Sequence, residues 1–498
     1  MKLNILKYKL LLIASIITLF SSCDLDINEN PNEPTDELVT PDLILPAVIA
    51  SSAYNQVYYY DYGYTAFLIG YQLPGSGIGG YGDTYTYNYT SSSNTGAWTS
   101  IFADLRDYVK IIKKAEEEPK YILFSAVSHI MKAYSYQLLV DNYGDVPYTD
   151  GVLGETNLTP KYDKDSEVYQ LLVQELDEAI SIIQQNKDKP STDVVKLNSV
   201  TDPAFGGNFT KWIQFANNLK LRLLVRARGT SIDSFVQSAF STFSPEGFLK
   251  EDVLVNPGYN ASAQQNPYWT VYHSSVAGAI TYVANYYIPS KYVFSFYDET
   301  VLNDSIRGEL TYKGFPNTPT GQLGSTTNPA TNKYAWFIGT GEGTSASDAQ
   351  GILKSRSAGT PIHLAAETYF LLAEAALYGH TLDGDAKTNF NKGIEASFDF
   401  LLRSGPSSSL PANANPTNRT TEYLNNNTNS YLVNIDLATT TEQKLEAIIT
   451  QKYIALNSIH AHEAWTEFRR TAYPKISGTD AKTTFVSIQS ASTRADKL

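Results

Sequence analysis

The sequence predicts a mainly α-helical fold with little β-structure, and two observations support that prediction. Several segments place apolar residues at the three- and four-residue spacing that lines one face of a helix. Between these segments lie long stretches rich in Gly, Ser, Thr, Asn and Pro, at about residues 241–350 and 403–431. Ordered loops of that length usually carry function. We therefore expect helices to build the scaffold and loops to provide a site.

The first predicted helices form a hairpin around Pro119. Thr40 and Pro41 have the pattern of an N-cap followed by proline at the first helical position, where ordered structure should begin. Apolar residues then follow the helical period over residues 98–112 and again over 122–134. Proline fits the first turn of a helix but not its interior, so Pro119 should end one helix and start the next. Such pairs are the building unit of helical-repeat folds.

The same period predicts helices farther along the chain. Gly229 is suited to a C-cap because glycine readily adopts the left-handed conformation found there. Thr440 and Gln443 have the spacing of a capping box ahead of another apolar stripe. The predicted helices cover residues 166–185, 210–228, 360–380 and 385–402, and a further helix follows Thr440.

The N-terminus has the pattern of a lipoprotein signal. Three lysines precede an uncharged apolar run at residues 10–20, followed by two serines and by Cys23, the only cysteine of the chain. A positive segment, a short apolar run and small residues describe a secretory signal, and the run is too short to span a bilayer. The arrangement resembles a bacterial lipobox, although Phe20 stands where the lipobox usually has leucine. We predict removal of residues 1–22 and lipidation of Cys23.

The composition narrows the possible partners and the domain organisation. The 498 residues include 38 Lys and Arg against 51 Asp and Glu, a net charge of −13. This excess of acids argues against nucleic acid and against docking on anionic lipid. With its one thiol lipidated, the chain cannot form a disulfide and must rely on a packed core. Residues 23–40 are polar and contain two prolines, so they should form a flexible tether before a single domain at 41–498.

Seven short segments spread along the chain are recognisable together. They are residues 28–32 (NENPN), 141–148 (DNYGDVPY), 211–222 (KWIQFANNLKLR), 266–268 (NPY), 303–307 (NDSIR), 367–376 (ETYFLLAEAA) and 448–474, which contains EAWTEFRRT. Each segment alone is weakly specific. In this order and behind a lipobox, they resemble the SusD/RagB family of Bacteroidetes outer-membrane lipoproteins, in its SusD-like branch.

The resemblance implies both a fold and a function. Four tetratricopeptide-like helical hairpins would form one side of the molecule, and the inserted loops would form the other side, which holds the ligand site. The protein would sit on the outer face of the outer membrane and bind oligosaccharides without catalysis. It would act as a hinged lid over a partner TonB-dependent β-barrel transporter of the SusC-like type. We predict no cofactor and, from the acidic charge, no nucleic-acid partner.

Aromatic residues indicate where a sugar would bind. The chain has 36 tyrosines, and a tyrosine or tryptophan ring can stack on the apolar face of a sugar while nearby amides bond its hydroxyls. Tyr81, Tyr85, Tyr87 and Tyr89 alternate with other residues, which predicts an extended strand with one face toward solvent. Trp98 is the first choice, because the resembling family has an aromatic platform in the corresponding neighbourhood. The predicted ligand-binding residues are Trp98, Tyr81, Tyr85, Tyr87, Asn266, Tyr268, Trp269, Tyr272 and Trp336.

Core packing is the competing interpretation for every aromatic residue. Tyr54, Tyr58 and Tyr62 lie four residues apart and are predicted to be buried helix positions. Trp98 could equally anchor the start of its helix. The residues predicted to be structural are Trp212, Trp465 and the pair Arg469 and Arg470, with Glu463 or Glu467 as possible partners of the arginines.

Two other function classes remain open at this point. A surface glycoside hydrolase would also use aromatic loops and many carboxylates, but the sequence cannot place two carboxyl groups at catalytic separation. A helical-repeat scaffold that binds peptides or proteins would have the same hairpins. The sequence contains no His-Glu-x-x-His, no Gly-x-Ser-x-Gly and no phosphate-binding loop. We therefore predict no metal site and no catalytic residue.

Overall fold

The computed structural model describes residues 39–154, 157–330, 335–336, 350–403 and 415–490. The predicted signal at 1–22, Cys23 and the tether as far as residue 38 lie outside the described residues. The described residues from Pro41 onward belong to one compact unit. Among the described helices, none has both the length and the apolar character that a membrane span requires.

The N-terminal half is built on five long helices. In chain order the elements are α1 (Pro41–Asn55) with a π-helical turn at Gln56–Asp61, α2 (Tyr64–Leu68), β1 (Leu73–Pro74), α3 (Gly82–Thr86), α4 (Thr95–Glu117), a 3₁₀ turn at Pro119–Tyr121, α5 (Ile122–Tyr143), α6 (Asp165–Asn186) and α7 (Phe209–Ala227). Each of α4 to α7 packs against the next, and α1 packs against α4. The fold is therefore helical here, as predicted.

The middle of the chain contains short elements. They are α8 (Asp233–Ala239), β2 (Val253–Val255), α9 (Pro267–Tyr272), α10 (Tyr282–Tyr286), β3 (Tyr287–Ile288), α11 (Lys291–Phe294), α12 (Ser305–Thr311) and β4 (Thr360–His363). Two small antiparallel sheets form among the described strands, β1 with β3 and β2 with β4. Leu73 lies opposite Ile288, and Val255 lies opposite Thr360.

The C-terminal part returns to long helices. They are α13 (Ala365–Leu377), α14 (Ala386–Leu402), α15 (Pro416–Asn426), a 3₁₀ turn at Ile435–Leu437, α16 (Thr441–Leu456) and α17 (Ala461–Thr471). Helix α13 packs against α14 and α16, and it also contacts α7, so the two helical blocks share an interface. Helix α17 packs on α2, which brings residues near 64 and 465 together.

Local sequence accounts for the ends of these helices. On α4 the buried residues Ile101, Leu105, Tyr108 and Ile111 repeat every three or four positions, and the helix stops just before Pro119. The Asn208 side chain caps α7 by accepting from Lys211 N, and the Thr440 side chain caps α16 in the same way. The Gln443 side chain returns to Thr439 N at 2.7 Å rather than to the cap residue itself.

Three local predictions were wrong. Residues 360–363 form β4 instead of opening a helix, because they pair with β2 about a hundred residues earlier, and α13 begins only at Ala365. The stretch from Tyr81 to Tyr89 is not an extended strand, since it contains the helical turn α3. The predicted loop at 403–431 contains α15, which is capped by Asn415 and starts with Pro416.

The long middle segment supplies core as well as surface. Trp269 and Tyr272 from α9 belong to one buried cluster with Phe370 of α13 and Ile448 of α16. Irregular backbone is thus held by large aromatic side chains that pack on the C-terminal helices. This arrangement decides which aromatic residues stay accessible to a ligand.

Candidate functional site

A cleft of about 640 Å³ opens between α2, the segment after α3, the end of α5 and α17. We call it the aromatic cleft. Its lining residues are Tyr64, Leu68, Tyr87, Tyr89, Asn142, Trp465, Phe468, Arg469, Arg470, Thr471 and Ala472. Cavities of this size are typical of small-ligand sites.

Three tyrosines form one wall of the aromatic cleft. Tyr64 begins α2 directly after Gly63, whose φ of 74° turns the chain there. The rings of Tyr64 and Tyr89 meet edge to face, with centroids 4.8 Å apart, and Tyr87 lies 6.4 Å from Tyr89. The Tyr87 hydroxyl accepts from Ser487 N at 2.9 Å, which ties this loop to the C-terminal segment.

The opposite wall comes from α17. Trp465 and Phe468 are three positions apart on that helix, and their rings stack with centroids 6.0 Å apart. The Arg469 guanidinium lies 5.7 Å from the centre of the Trp465 ring. Asn142, near the end of α5, donates to Leu138 O and places its amide at the margin of the cleft.

Trp98 lies in an aromatic cluster beside the aromatic cleft. Its ring meets Tyr143 edge to face with centroids 5.0 Å apart, and it lies nearly parallel to Tyr162 at 6.3 Å. Tyr143 directly follows the cleft residue Asn142, so the Trp98 cluster adjoins the aromatic cleft. Trp98 is half-buried, whereas Tyr162 is 60% exposed. The accessibility of Trp98 suits a ligand platform, and its contact with a ligand remains a prediction.

Tyr54, Tyr58 and Tyr62 are not the buried helix positions that their spacing predicted. Tyr54 and Tyr58 are each 41% exposed, and their rings stack 5.4 Å apart. Tyr62 continues the row, 5.7 Å from Tyr58 and 6.0 Å from Tyr287. The stacked pair Tyr54 and Tyr58 therefore keeps solvent-accessible surface. The row runs along a π-helical turn, a conformation that is frequent at functional sites.

Tyr81 and Tyr85 extend this surface. The Tyr81 hydroxyl lies 3.0 Å from that of Tyr287 and 3.3 Å from that of Tyr282, and Tyr85 lies 6.1 Å from Tyr81. Both rings are half-buried against the core cluster. Burial raises the pKa of Tyr87 to about 12, so its hydroxyl is neutral at physiological pH. Tyr81, Tyr85 and Tyr87 keep accessible surface, and their predicted ligand contact stays a prediction.

Five other predicted ligand residues are core residues, which corrects the prediction for them. Tyr268, Trp269, Tyr272 and Trp336 are between 0% and 3% exposed, and Asn266 is 2% exposed. Asn266 caps α9 by accepting from Tyr268 N at 2.7 Å and donates to Ala358 O at 2.9 Å. Side chains without accessible surface cannot stack on a sugar in this conformation. Their size instead fills the core beneath the middle segment.

Comparison with known proteins identifies the family. A family model described as "SusD-like_2: Starch-binding associating with outer membrane" matches residues 31–490. The chain belongs to this SusD-like family. A search of curated proteins finds no match.

Solved structures agree with this fold. A chitin-binding SusD homologue from Flavobacterium johnsoniae is 23% identical with a TM-score of 0.64, and the match covers 88% of each chain. A SusD-like protein from Bacteroides thetaiotaomicron is 22% identical with a TM-score of 0.63, covering 86% of this chain and 87% of that one. A SusD homologue from Bacteroides uniformis is 23% identical with a TM-score of 0.60, covering 89% of each chain. At these identities the likeness concerns the fold.

The SusD-like motif helices meet in a buried charge network. Arg222 of α7 bonds both carboxylate oxygens of Glu367 on α13, at 2.8 and 3.0 Å. One turn later, Arg226 donates to Asp141 of α5 at 2.5 Å and to Glu463 of α17. All of these residues except Arg226 belong to the recognised motifs, and together they link four helices.

The same network explains why three side chains of the types that bind metal ions lie close together. Ligand atoms of Asp141, His462 and Glu463 lie within 4.8 Å of one another. The Arg226 guanidinium donates to both carboxylates, so their charge is already compensated by a protein cation. Burial and nearby arginines hold the pKa of His462 well below its usual value. This SusD-like cluster is therefore explained by packing of charged helices.

Sequence reasoning missed most of the cleft lining, since Tyr87 alone of these residues is among the predicted ligand-binding residues. Trp465 and Arg469 were assigned to structure, yet both line the aromatic cleft, whereas Trp212 is buried as predicted and donates to Asp202 at 2.8 Å. Trp465 and Arg469 are four residues apart, so they share one face of α17. That spacing was the signal in the sequence that could have placed Trp465 and Arg469 together in a site. Nothing in the sequence distinguished this face from the one that meets the charge network.

Proposed function

We propose that this protein is a non-catalytic glycan-binding lipoprotein of the cell surface. It captures oligosaccharides and delivers them to a partner TonB-dependent transporter of the outer membrane, acting as its lid. The observation that carries the proposal is the aromatic cleft with the adjoining Trp98 cluster. Half-exposed rings from separate elements converge there with amide and hydroxyl groups.

This chemistry suits a sugar chain. Rings such as Trp98 can stack on the apolar faces of pyranose units, while Asn142 and the tyrosine hydroxyls can bond the hydroxyl rim. The family description names starch, and two related structures are called chitin-binding. Both names support an oligosaccharide as the class of ligand.

The cleft also favours binding over hydrolysis. Glycoside hydrolysis in most families uses two carboxyl groups placed on either side of the scissile bond. Among the described residues that line the aromatic cleft, none is Asp or Glu. Reducing-end release from bound polysaccharide, abolished by a single carboxylate substitution, would instead establish the hydrolase. Calorimetry against a peptide panel tests the scaffold alternative, and binding to peptides alone would overturn the glycan proposal.

Replacing Trp98 by Ala should weaken oligosaccharide binding without unfolding the protein. Loss of one stacking platform costs about 1–3 kcal/mol of binding free energy, because the ring contributes both contact area and exclusion of water. Isothermal titration calorimetry of wild type and variant with the same oligosaccharide measures the change.

Tyr369→Ala provides the matched control for Trp98→Ala. Tyr369 is a half-buried aromatic residue of α13 that lines a different cavity, so its loss should leave the affinity unchanged. Equal affinities for wild type and Trp98→Ala, with both proteins folded, would remove Trp98 from the site.

Replacing Cys23 by Ala should release the protein from the membrane and leave glycan affinity intact. The cysteine is proposed as the lipid attachment point, and the polar tether separates it from the domain. Membrane fractionation measures the release, and calorimetry on the released protein measures binding. Ser21→Ala keeps a small residue in the signal and should remain membrane-bound. Retention of Cys23→Ala in the membrane fraction would contradict the lipoprotein assignment. Co-purification from outer membranes tests the transporter partner.

A further inference from the structure

The aromatic cleft has a charge opposite to that of the chain. The protein as a whole carries 51 acidic against 38 basic side chains. Within the described lining of the cleft there are two arginines, Arg469 and Arg470, and no carboxylate. A positively charged pocket in an acidic protein requires an explanation, because net charge alone would predict the reverse.

Arg470 is neutralised by its surroundings. Its guanidinium bonds both oxygens of Glu374, at 2.6 and 2.7 Å, and also bonds Glu467 at 2.5 and 2.9 Å. Arg226, behind the cleft, is compensated in the same way by Asp141 and Glu463. Each of these two arginines is bonded by two carboxylates, so neither leaves an unpaired positive charge for a ligand.

Arg469 differs from these two neighbours. Its Nη2 donates to the backbone oxygen of Asp141 and, at 3.3 Å, to the Thr466 hydroxyl, and both acceptors are uncharged. No carboxylate among the described residues forms an ion pair with it, and its side chain is exposed at the cleft. Partial desolvation of the guanidinium, together with Arg226, lowers the pKa of Arg469, while Asp141 opposes that shift. The guanidinium nevertheless stays charged at any physiological pH.

We propose that the oligosaccharide bound in the aromatic cleft carries a carboxylate or sulfate group that pairs with Arg469. The inference rests on the proposed function and specifies its ligand class as an acidic glycan. The guanidinium fork offers donors in the geometry that matches both anionic groups. Tyr64, Tyr89 and Trp465 then contact the sugar ring that bears the charge, so stacking and ion pairing act on the same residue of the glycan.

Matched pairs of probes test the charge requirement. Oligogalacturonate and its methyl ester differ by the carboxylate, and carrageenan oligosaccharides differ from their desulfated forms by the sulfate. The acidic member of one pair should bind about 10- to 100-fold more tightly than its neutral form, as expected for a charge-assisted hydrogen bond. The pair of probes that shows this difference in affinity identifies the anionic group as a carboxylate or a sulfate. Neutral chito- and malto-oligosaccharides complete the panel.

Variants of Arg469 test whether its guanidinium pairs with the anionic group of the glycan. Arg469→Gln should abolish the preference for the acidic probe, whereas Arg469→Lys, which keeps the charge, should retain part of it. Arg419→Gln is the matched control, because Arg419 is a partly exposed arginine of α15 outside the cleft and its removal changes the net charge equally. If Arg469→Gln fails to fold, the salt dependence of wild-type binding decides: affinity for the acidic probe should fall with salt and that for neutral probes should not.

The outcomes separate the inference from the function on which it rests. Equal affinity for acidic and neutral forms, or unchanged acidic binding by folded Arg469→Gln, overturns the acidic-ligand inference. Equal affinity for the acidic and neutral probes that depends on Trp98 would overturn the inference and leave the proposed function standing. Binding to no probe of either kind would overturn both.

Discussion

Replacing Arg222 by Met should lower the free energy of unfolding by about 3–5 kcal/mol, because the substitution leaves a buried carboxylate without its main partner. The side chains of Arg222 and Glu367 are 1% and 0% exposed. Arg222 also donates to His363 at 2.8 Å and lies 3.4 Å from Glu463. Chemical denaturation of wild type and variant measures the loss.

The pH dependence of this loss distinguishes charge from packing. Burial alone would raise the pKa of Glu367, but Arg222, His363 and Lys452 outweigh it and hold that pKa well below its usual value. The ionised carboxylate therefore stabilises the fold above the unfolded-state pKa of about 4.3, and that contribution is lost as the pH falls toward the folded-state pKa. The gap between wild type and Arg222→Met should narrow as the pH falls. In the variant, burial without Arg222 raises the pKa of Glu367, so protonation relieves the unpaired charge already above about pH 4.3, and below about pH 4.3 the wild type loses its own contribution.

A control on the same helix isolates the effect of burial. Lys211 of α7 pairs with Glu251 at 2.5 Å, but both side chains are more than a third exposed, at 38% and 36%. Lys211→Met should therefore change stability by less than about 1 kcal/mol. Combining Arg222→Met with Glu367→Gln should recover part of the loss, because the uncompensated charge is removed. A loss for Arg222→Met that is independent of pH would assign the effect to packing.

Replacing Trp269 by Ala should cost about 3–5 kcal/mol of unfolding free energy, the range for a large aromatic residue removed from a core. Trp269 is 0% exposed, its ring lies 4.2 Å from that of His273, and its Nε1 donates to Ser274 at 3.3 Å. Alanine would leave a cavity that rigid neighbours fill only partly. Thermal and chemical denaturation measure the change.

Trp269→Ala and Trp98→Ala form a matched pair with opposite expected results. The same side chain is removed from the core in one variant and from the surface beside the cleft in the other. We expect Trp269→Ala to lose stability and, at a temperature where it remains folded, to keep its affinity for oligosaccharide. Trp98→Ala should lose affinity and keep most of its stability. Weakened binding by folded Trp269→Ala with normal stability would restore Trp269 as a ligand residue.

The helices were predictable because their determinants are local. The apolar spacing on α4 and the proline after it depend on residues within a few turns of one another, as do the caps Asn208 and Thr440. The motif order likewise identified the SusD-like family, since it requires only residue identities along the chain. The lipobox pattern at Cys23 is also local, and lipidation there stays a prediction.

Accessibility was not predictable, because it depends on what packs against each residue from far along the chain. Trp98 and Trp269 both lie in aromatic-polar surroundings in the sequence, but Trp269 is covered by the core cluster formed with the C-terminal helices. The strand at 360–363 forms because β2 lies beside it, and no residue near Thr360 signals that partner. The tyrosines 54, 58 and 62 have a core-like period, yet none is buried: Tyr54 and Tyr58 stack on each other, and the ring of Tyr62 is tilted against that of Tyr58.

The adjacent residues Arg469 and Arg470 show most clearly what the sequence determines and what only the tertiary structure decides. The sequence by itself determined that two arginines end a helix of a family motif, and it suggested acids of the same helix as partners. Only the tertiary structure placed Glu374, 96 positions earlier, against Arg470, and placed Arg469 in the lining of the aromatic cleft. The reason is physical: a salt bridge depends on distance in space, and distant segments come within bonding range only when the helices pack.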